Sequence, residues 1–401
     1  MRTPKDGGCK VPVEDIWKKP QLRTDEEEGR ERGTTWLELF FDLVYVTVIG
    51  ELVRTLSGQV SGDRVLTFIL LFIPAWWLWI GHTVYNDRFD TDDVSHRLFT
   101  FLYMLPIVGL ALNVYQGLGE SSTAIAISYS AARIILISMW LRAGWHNPVS
   151  RPMTNRYAVG YSVSVIFWII SVFISPPMRF VFWGIGLLID LLTPVTTMEI
   201  QNRLPRLSMS HLPERFGLFT IIVLGDAVIE VVRGITIRPI ITVRIAIAGF
   251  LGLALAFSIW WIYFDYVLER RVRPGLKWFM IWSYTHLPLL MGLTAIGAGI
   301  LNIIVSEGHG LPEPFRWLIC TATAVTFSAI GIIEFSLLHE DEELSLRRWN
   351  RVFRFGGAAI ALLLGLLGGW LDSLVLLGIL MGLGAGQVIR CLFRHIHQKN
   401  C

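Results

Sequence analysis

Charge is scarce in this 401-residue sequence. Asp, Glu, Lys and Arg make up 17% of it, against about 25% in an ordinary soluble domain. Cysteine is scarcer still. The four are Cys9, Cys320, Cys391 and Cys401; none forms a CxxC pair, so the chain has neither a zinc spacing nor a disulfide framework. The net charge of +3 marks no nucleic-acid partner. No nucleophile elbow, HExxH or Walker sequence occurs. The expectation is therefore a protein that is not an enzyme, has no cofactor and no metal ligand set, and does not itself hydrolyse ATP. No cleavable signal peptide is expected. Residues 1–33 are polar and include Asp25-Glu26-Glu27-Glu28-Gly29-Arg30-Glu31-Arg32, which is expected to be a solvated tail.

What is abundant is hydrocarbon. Hydrophobic residues are 53% of the chain, with 16 Trp and 23 Phe, and the mean hydropathy is +0.54. A soluble protein of this size could not cover such a core, so the composition points to a polytopic membrane protein. The apolar runs are too long and too little alternating for barrel strands, which leaves an all-α fold. At about 20 apolar residues per crossing, twelve transmembrane helices are expected, near 36–56, 65–85, 97–117, 123–142, 157–175, 178–198, 214–235, 241–266, 276–301, 315–337, 354–370 and 372–392. Only Gly368, Gly369, Trp370 and Leu371 divide the last two. Lys and Arg outside these spans fall mostly on the side holding both termini. They include Arg203, Arg206 and Arg215, placed in the loop before the seventh span. This bias puts both termini in the cytoplasm.

Three landmarks recur in order. Val48-Ile49-Gly50-Glu51 in span 1 matches Val223-Leu224-Gly225-Asp226 in span 7. Trp76-Trp77-Leu78-Trp79 in span 2 matches Trp260-Trp261-Ile262-Tyr263 in span 8, and Leu105-Pro106 in span 3 matches Leu287-Pro288 in span 9. Six helices per half is an even number. The reading is thus two parallel six-helix repeats, residues 34–205 and 206–393, between a polar tail at 1–33 and a short tail at 394–401. The tryptophan clusters read as interfacial anchoring and packing. Gly378 and Gly382 form a GxxxG that suits close helix packing within the chain or in a homodimer.

The residues also carry a family likeness. Thr35-Trp36-Leu37-Glu38-Leu39-Phe40-Phe41-Asp42-Leu43-Val44-Tyr45-Val46 opens the match. His211-Leu212-Pro213-Glu214-Arg215-Phe216-Gly217-Leu218-Phe219-Thr220-Ile221-Ile222-Val223-Leu224-Gly225-Asp226 continues it, and His286-Leu287-Pro288 with Gly292 and Gly297 forms a third block. These blocks resemble the bacterial low temperature requirement A (LtrA) membrane proteins. That family usually shows Gly-Glu-Ser where this chain has Gly225-Asp226-Ala227, so the acid has a shorter arm and the hydroxyl is absent. The resemblance implies a multi-pass inner-membrane protein linked by name to growth at low temperature. It brings no substrate with it.

Function is then argued from charges placed where they are costly, at about 3 kcal/mol each on insertion scales. The main candidates for ion coupling or substrate binding are Asp42, Glu51, Arg133, Asp190, Asp226, Glu230 and His286. Glu38 and Asp42 are four residues apart and share a helix face, as do Asp226 and Glu230. The second pair lies about 18 Å beyond Glu214 along the helix. With one positive partner at most, it should share a proton, bind a cation or face water. Arg133 with one acid reads equally as a structural ion pair. His286, two residues before Pro288, reads either as part of an ion path beside a freed carbonyl or as a hydrogen-bonded histidine in a kinked helix. Glu38, His82, Glu214, Asp265 and Glu334 lie nearer the cytoplasmic ends and are secondary candidates, several of them suited to capping. The expected function is an ion-coupled secondary transporter of an unknown small molecule or ion, working in the lipid bilayer. A cation channel with six-helix repeats and a structural or lipid-sensing membrane protein remain as alternatives.

Overall fold

The computed structural model describes residues 18–23, 33–90, 93–205, 207–208, 210–268, 270–306, 310–338 and 344–399. The acidic run at 25–32 lies outside them, as do Cys9 and Cys401. Among the described residues the chain is all-α, with twelve long helices. They are α1 (Trp36–Leu56), α2 (Gly62–Arg88), α3 (Val94–Val114), α4 (Ser122–His146), α5 (Arg151–Val172), α6 (Met178–Thr196), α7 (His211–Thr236), α8 (Val243–Tyr263), α9 (Leu276–Val305), α10 (Glu313–Phe335), α11 (Leu344–Leu367) and α12 (Ser373–Lys399). The only ribbon among the described residues pairs β1 (Gln21–Leu22) antiparallel with β2 (Phe89–Asp90). A helix stands at each of the twelve expected positions. The short divider before the last is a 3₁₀ turn, Gly368–Trp370.

Nine of these helices are long and apolar enough to cross a membrane. α1, α5 and α7 fall outside that group. α5 is diluted by polar residues at its start, Asn155 and Arg156 among them. The other two are dense in charge: Glu38, Asp42, Glu51 and Arg54 in α1, and Glu214, Arg215, Asp226, Glu230 and Arg233 in α7. The two helices matched by the first landmark of the repeat thus carry the most charge for their length.

Helix ends follow local chemistry. Thr35 caps α1 in a reciprocal box: its hydroxyl accepts from the Glu38 amide at 3.3 Å, and Glu38 Oε2 accepts from the Thr35 amide at 2.9 Å. Thr242 caps α8 by accepting from the Ile245 amide. At the other end of α1, Asn302 of α9 donates to the Leu56 carbonyl at 3.0 Å and accepts from the Gly58 amide at 2.8 Å. Gly58 has φ +78°, a left-handed turn that glycine adopts without cost. α7 begins earlier than the apolar pattern suggests, because Pro213 sits in its first turn, where a missing N–H costs nothing. Arg215, within the expected span 214–235 yet counted with the loop charges, is inside the helix and fully buried, which corrects that count.

The helices sort into two compact units. One comprises residues 1–29, 81–106 and 126–207; the other comprises 30–80, 107–125 and 208–401. Within the second unit, α7, α9 and α10 form the dense centre, with Leu293, Ile300, Ile303, Ile319 and Ile330 almost without solvent access. Trp76, Trp77 and Trp79 belong to that interior rather than to an interfacial belt. Trp79 stacks on Phe219 at 4.3 Å and Trp77 meets Tyr284 edge-on at 5.3 Å. The later cluster is more open, with Trp260 37% exposed.

Candidate functional site

In the second unit, two acids on α1 face two bases on α7 at the same four-residue spacing. Glu38 Oε1 lies 3.2 Å from His211 Nε2. One turn on, Arg215 Nη2 donates to Asp42 Oδ1 at 2.8 Å. Trp79 Nε1 also donates to Asp42 Oδ1, at 2.8 Å. At the same helix start, Glu214 accepts from the Thr34 amide at 3.4 Å. Asp42 and Arg215 have no solvent access, and each keeps polar atoms without a hydrogen-bond partner among the described residues: Oδ2 of Asp42, and Nε and Nη1 of Arg215. Phe216 and Phe219 wrap the node against Trp79. A charge pair so enclosed is held by geometry, because the cost of desolvation offsets much of its attraction.

Further along α7 the pattern changes. Asp226 is 4% exposed, and its Oδ2 has no hydrogen-bond partner among the described residues. A Cβ on Gly50 of α1 would stand 3.8 Å from Asp226 Oδ1, and one on Gly225 would meet nothing within 4 Å. A methyl group would therefore fit between Gly50 and the carboxylate. Glu230, one turn further, is buried and reaches one cation, Arg233, at 3.4 Å. Glu230 Oε2 is likewise without a partner among the described residues. Ala227, beside the acid, packs on α9: a Cβ on Gly297 would come within 3.2 Å of Ala227 Cα.

The remaining candidates in this unit are tied locally. Glu51, which the repeat aligns with Asp226, is part-exposed and paired through both oxygens to Arg54 at 2.8 Å. His286 is fully buried between α9 and α8, with Nδ1 2.7 Å from the Trp282 carbonyl and Nε2 2.9 Å from the Tyr263 hydroxyl. Asp265 sits in a π-helical turn, Phe264–Leu268, that continues α8, and accepts from Trp261 Nε1. Glu334 accepts from Arg354 at 3.1 Å, and Gln387 of α12 accepts from the same guanidinium. These three buried groups link α10, α11 and α12.

The first unit has its own buried node. Arg133 of α4 lies 3.1 Å from Asp190 of α6. Tyr129 donates to Asp190 and accepts from Arg133. The guanidinium sits 4.5 Å from the centre of the Tyr161 ring, and Trp168 stacks on Tyr129 at 4.0 Å. A cation between a carboxylate and aromatic faces is neutralised twice over. His82 is buried and stacks on Tyr103 at 4.9 Å, with Asn86 beside its Nδ1.

The partners that the sequence reading missed are Arg215, His211, Trp79, Tyr129 and Arg354. For the first two a signal existed: His211 and Arg215 repeat the four-residue spacing of Glu38 and Asp42, as facing ladders require. Among the described residues no group of three or more His, Cys, Asp or Glu is arranged to hold a metal.

Comparison with known proteins bears on the whole chain. The family described as "Bacterial low temperature requirement A protein (LtrA)" matches residues 33–388. An uncharacterized protein of Rhizobium meliloti (strain 1021) is 28% identical over 312 residues, which covers 73% of each chain.

Proposed function

The chain belongs to the bacterial low temperature requirement A family, and we propose that this multi-pass membrane protein is an ion-coupled secondary carrier whose coupling pair is Asp226 and Glu230. The carrier sits in the inner membrane with both termini in the cytoplasm and performs no chemistry on its cargo. The excess of Lys and Arg on the terminal side supports that orientation.

One observation carries the reading. Asp226 is a buried carboxylate on α7 with an oxygen that nothing among the described residues satisfies. Such a group takes a proton or a cation, since a bare charge in this medium is costly. Glu230 doubles the negative charge on the same face, and Arg233 compensates one of the two. The other buried acids are poor candidates by comparison. Asp42 faces Arg215, Asp190 faces Arg133 and Glu334 faces Arg354. These pairs fix one arrangement of helices and leave no net charge to exchange. Asp226 and Glu230 keep the part of an exchangeable site.

The test is flux in proteoliposomes. Vesicles holding the full chain and a pH- or sodium-sensitive dye are challenged with small solutes of successive chemical classes under an imposed gradient. Solute-evoked movement of protons or sodium should appear and be lost in Asp226→Asn, while the variant elutes and unfolds like the parent. Ion movement that survives Asp226→Asn, or a parent that moves neither ion with any solute class, overturns the assignment.

A further inference from the structure

The last turns of α7 present an open, shallow groove along one face of that helix, lined by Val228, Ile229, Val232, Arg233, Thr236 and Ile237. Four of the six are large apolar residues left exposed. Arg233 is the one charged side chain in the wall. Its side chain is 41% exposed, whereas that of Glu230, its partner at 3.4 Å, is 3% exposed. A single guanidinium thus faces the groove on one side and the buried acid pair on the other. It stands three residues before the helix ends at Thr236, about 5 Å in, where a long arginine side chain can lay its stem along apolar surface and carry its head to a polar layer.

We propose that this groove seats an anionic phospholipid, with an acyl chain along Val228, Ile229 and Val232 and the phosphate on Arg233. The wall argues for lipid over a free anion. Inorganic phosphate would gain Arg233 alone and leave the apolar length uncovered, whereas a phospholipid matches both parts in the medium that already bathes this face. Binding has a consequence inward. A phosphate on Arg233 draws the guanidinium from Glu230 and leaves Asp226 and Glu230 without their counter-charge. Anionic lipid then sets how strongly the pair takes up a cation. This second step rests on the reading of that pair as the coupling site; the lipid seat itself does not.

Two separate measurements keep the two claims apart. The full chain is equilibrated in bilayers of phosphatidylcholine, with and without phosphatidylglycerol, and retained lipid is read by native mass spectrometry after extraction. The parent should hold phosphatidylglycerol over phosphatidylcholine. Arg233→Gln should lose about fivefold of that preference, the share of one basic residue at an anionic surface, and Arg233→Lys should keep most of it. Glu230→Gln should keep or raise it. Equal retention by the parent and Arg233→Gln overturns the seat, as does inorganic phosphate displacing the lipid. A dimer that is unaffected by Arg233→Gln and carries no lipid also overturns it, since a second copy then fills the groove. Flux in the two kinds of bilayer is read independently. With the preference confirmed, flux that ignores phosphatidylglycerol in the parent removes the regulatory step and leaves the seat standing.

Discussion

Arg215 of α7 donates to Asp42 of α1 across 2.8 Å, with both side chains closed off from solvent. The same two helices are joined one turn earlier by Glu38 and His211. A two-rung ladder of opposite charge therefore clamps the starts of α1 and α7, while the middle of α7 holds an acid that is left uncompensated. The sequence places all these acids on two helices; the structure pairs Glu38 and Asp42 between those helices and leaves an oxygen of Asp226 without a partner among the described residues.

The ladder should behave as a unit. Arg215→Gln or Asp42→Asn alone strands a buried partner, and breaking such a pair costs about 3–5 kcal/mol. The double replacement Asp42→Leu with Arg215→Met removes both charges and should recover most of that loss. Thermal unfolding of the purified protein in detergent checks this. A double variant as unstable as the sum of the singles shows that the pair is not coupled.

The node in the first unit makes a different demand. Arg133 meets Asp190, the Tyr129 hydroxyl and the face of Tyr161 together. Lysine offers a point charge without a planar fork, so Arg133→Lys should destabilise nearly as much as Arg133→Gln, by about 3 kcal/mol. Tyr129→Phe removes one donor from Asp190 and should cost about 1–3 kcal/mol. Rescue by Arg133→Lys would show that charge alone matters there.

How much was legible beforehand depends on the range of the signal. Helix number and type follow from apolar run length, so all twelve helices and the Gly368–Trp370 divider are readable from the order of residues. Starts and ends are set by single residues. Pro213 in a first turn starts α7 three residues before the expected 214, and only the packing shows that Arg215 is a core residue rather than a loop charge. Partnerships across helices have the weakest trace. The singled-out acid Asp190 is visible by its chemistry, but its fixed neighbours Tyr129 and Arg133 come from a helix distant in sequence. His286 shows the same limit. Its position before Pro288 is plain, whereas its lock onto Trp282 and Tyr263 needs the packing of α8 on α9.

Acid should weaken the junction between α11 and α12. Asp372 lies in that turn and caps α12 by accepting from the Leu374 amide at 2.9 Å, and Arg244 of α8 pairs with it. Partial burial pushes its carboxyl up, but the amide hydrogen bonds and the guanidinium outweigh this and hold it below the usual carboxylate range. A depressed carboxyl stabilises the fold above its unfolded value, about 3.9, and the benefit is lost as pH falls through the folded value. Asp372→Asn should therefore unfold at a lower temperature than the parent at pH 7, and the gap should close below about pH 4. A gap that is constant with pH shows that the carboxylate charge is not what holds the turn.

Two glycines beside Asp226 should respond in opposite ways to one methyl group. At Gly50 an added Cβ meets Asp226 Oδ1 at 3.8 Å, an ordinary contact, so Gly50→Ala should keep both folding and ion movement. At Gly297 the added Cβ comes within 3.2 Å of Ala227 Cα, which is backbone and cannot swing away. Gly297→Ala must then push α9 off α7, and overpacking of this kind costs about 1–3 kcal/mol. Because Ala227 adjoins Asp226, the shift should disturb ion movement beyond the loss in stability, as flux per folded molecule would show. Gly50→Leu supplies the complementary case, since it fills the space in front of the carboxylate from the other side and should stop flux while unfolding near the parent's temperature. Normal flux in Gly50→Leu would mean that the space beside Asp226 carries no ion.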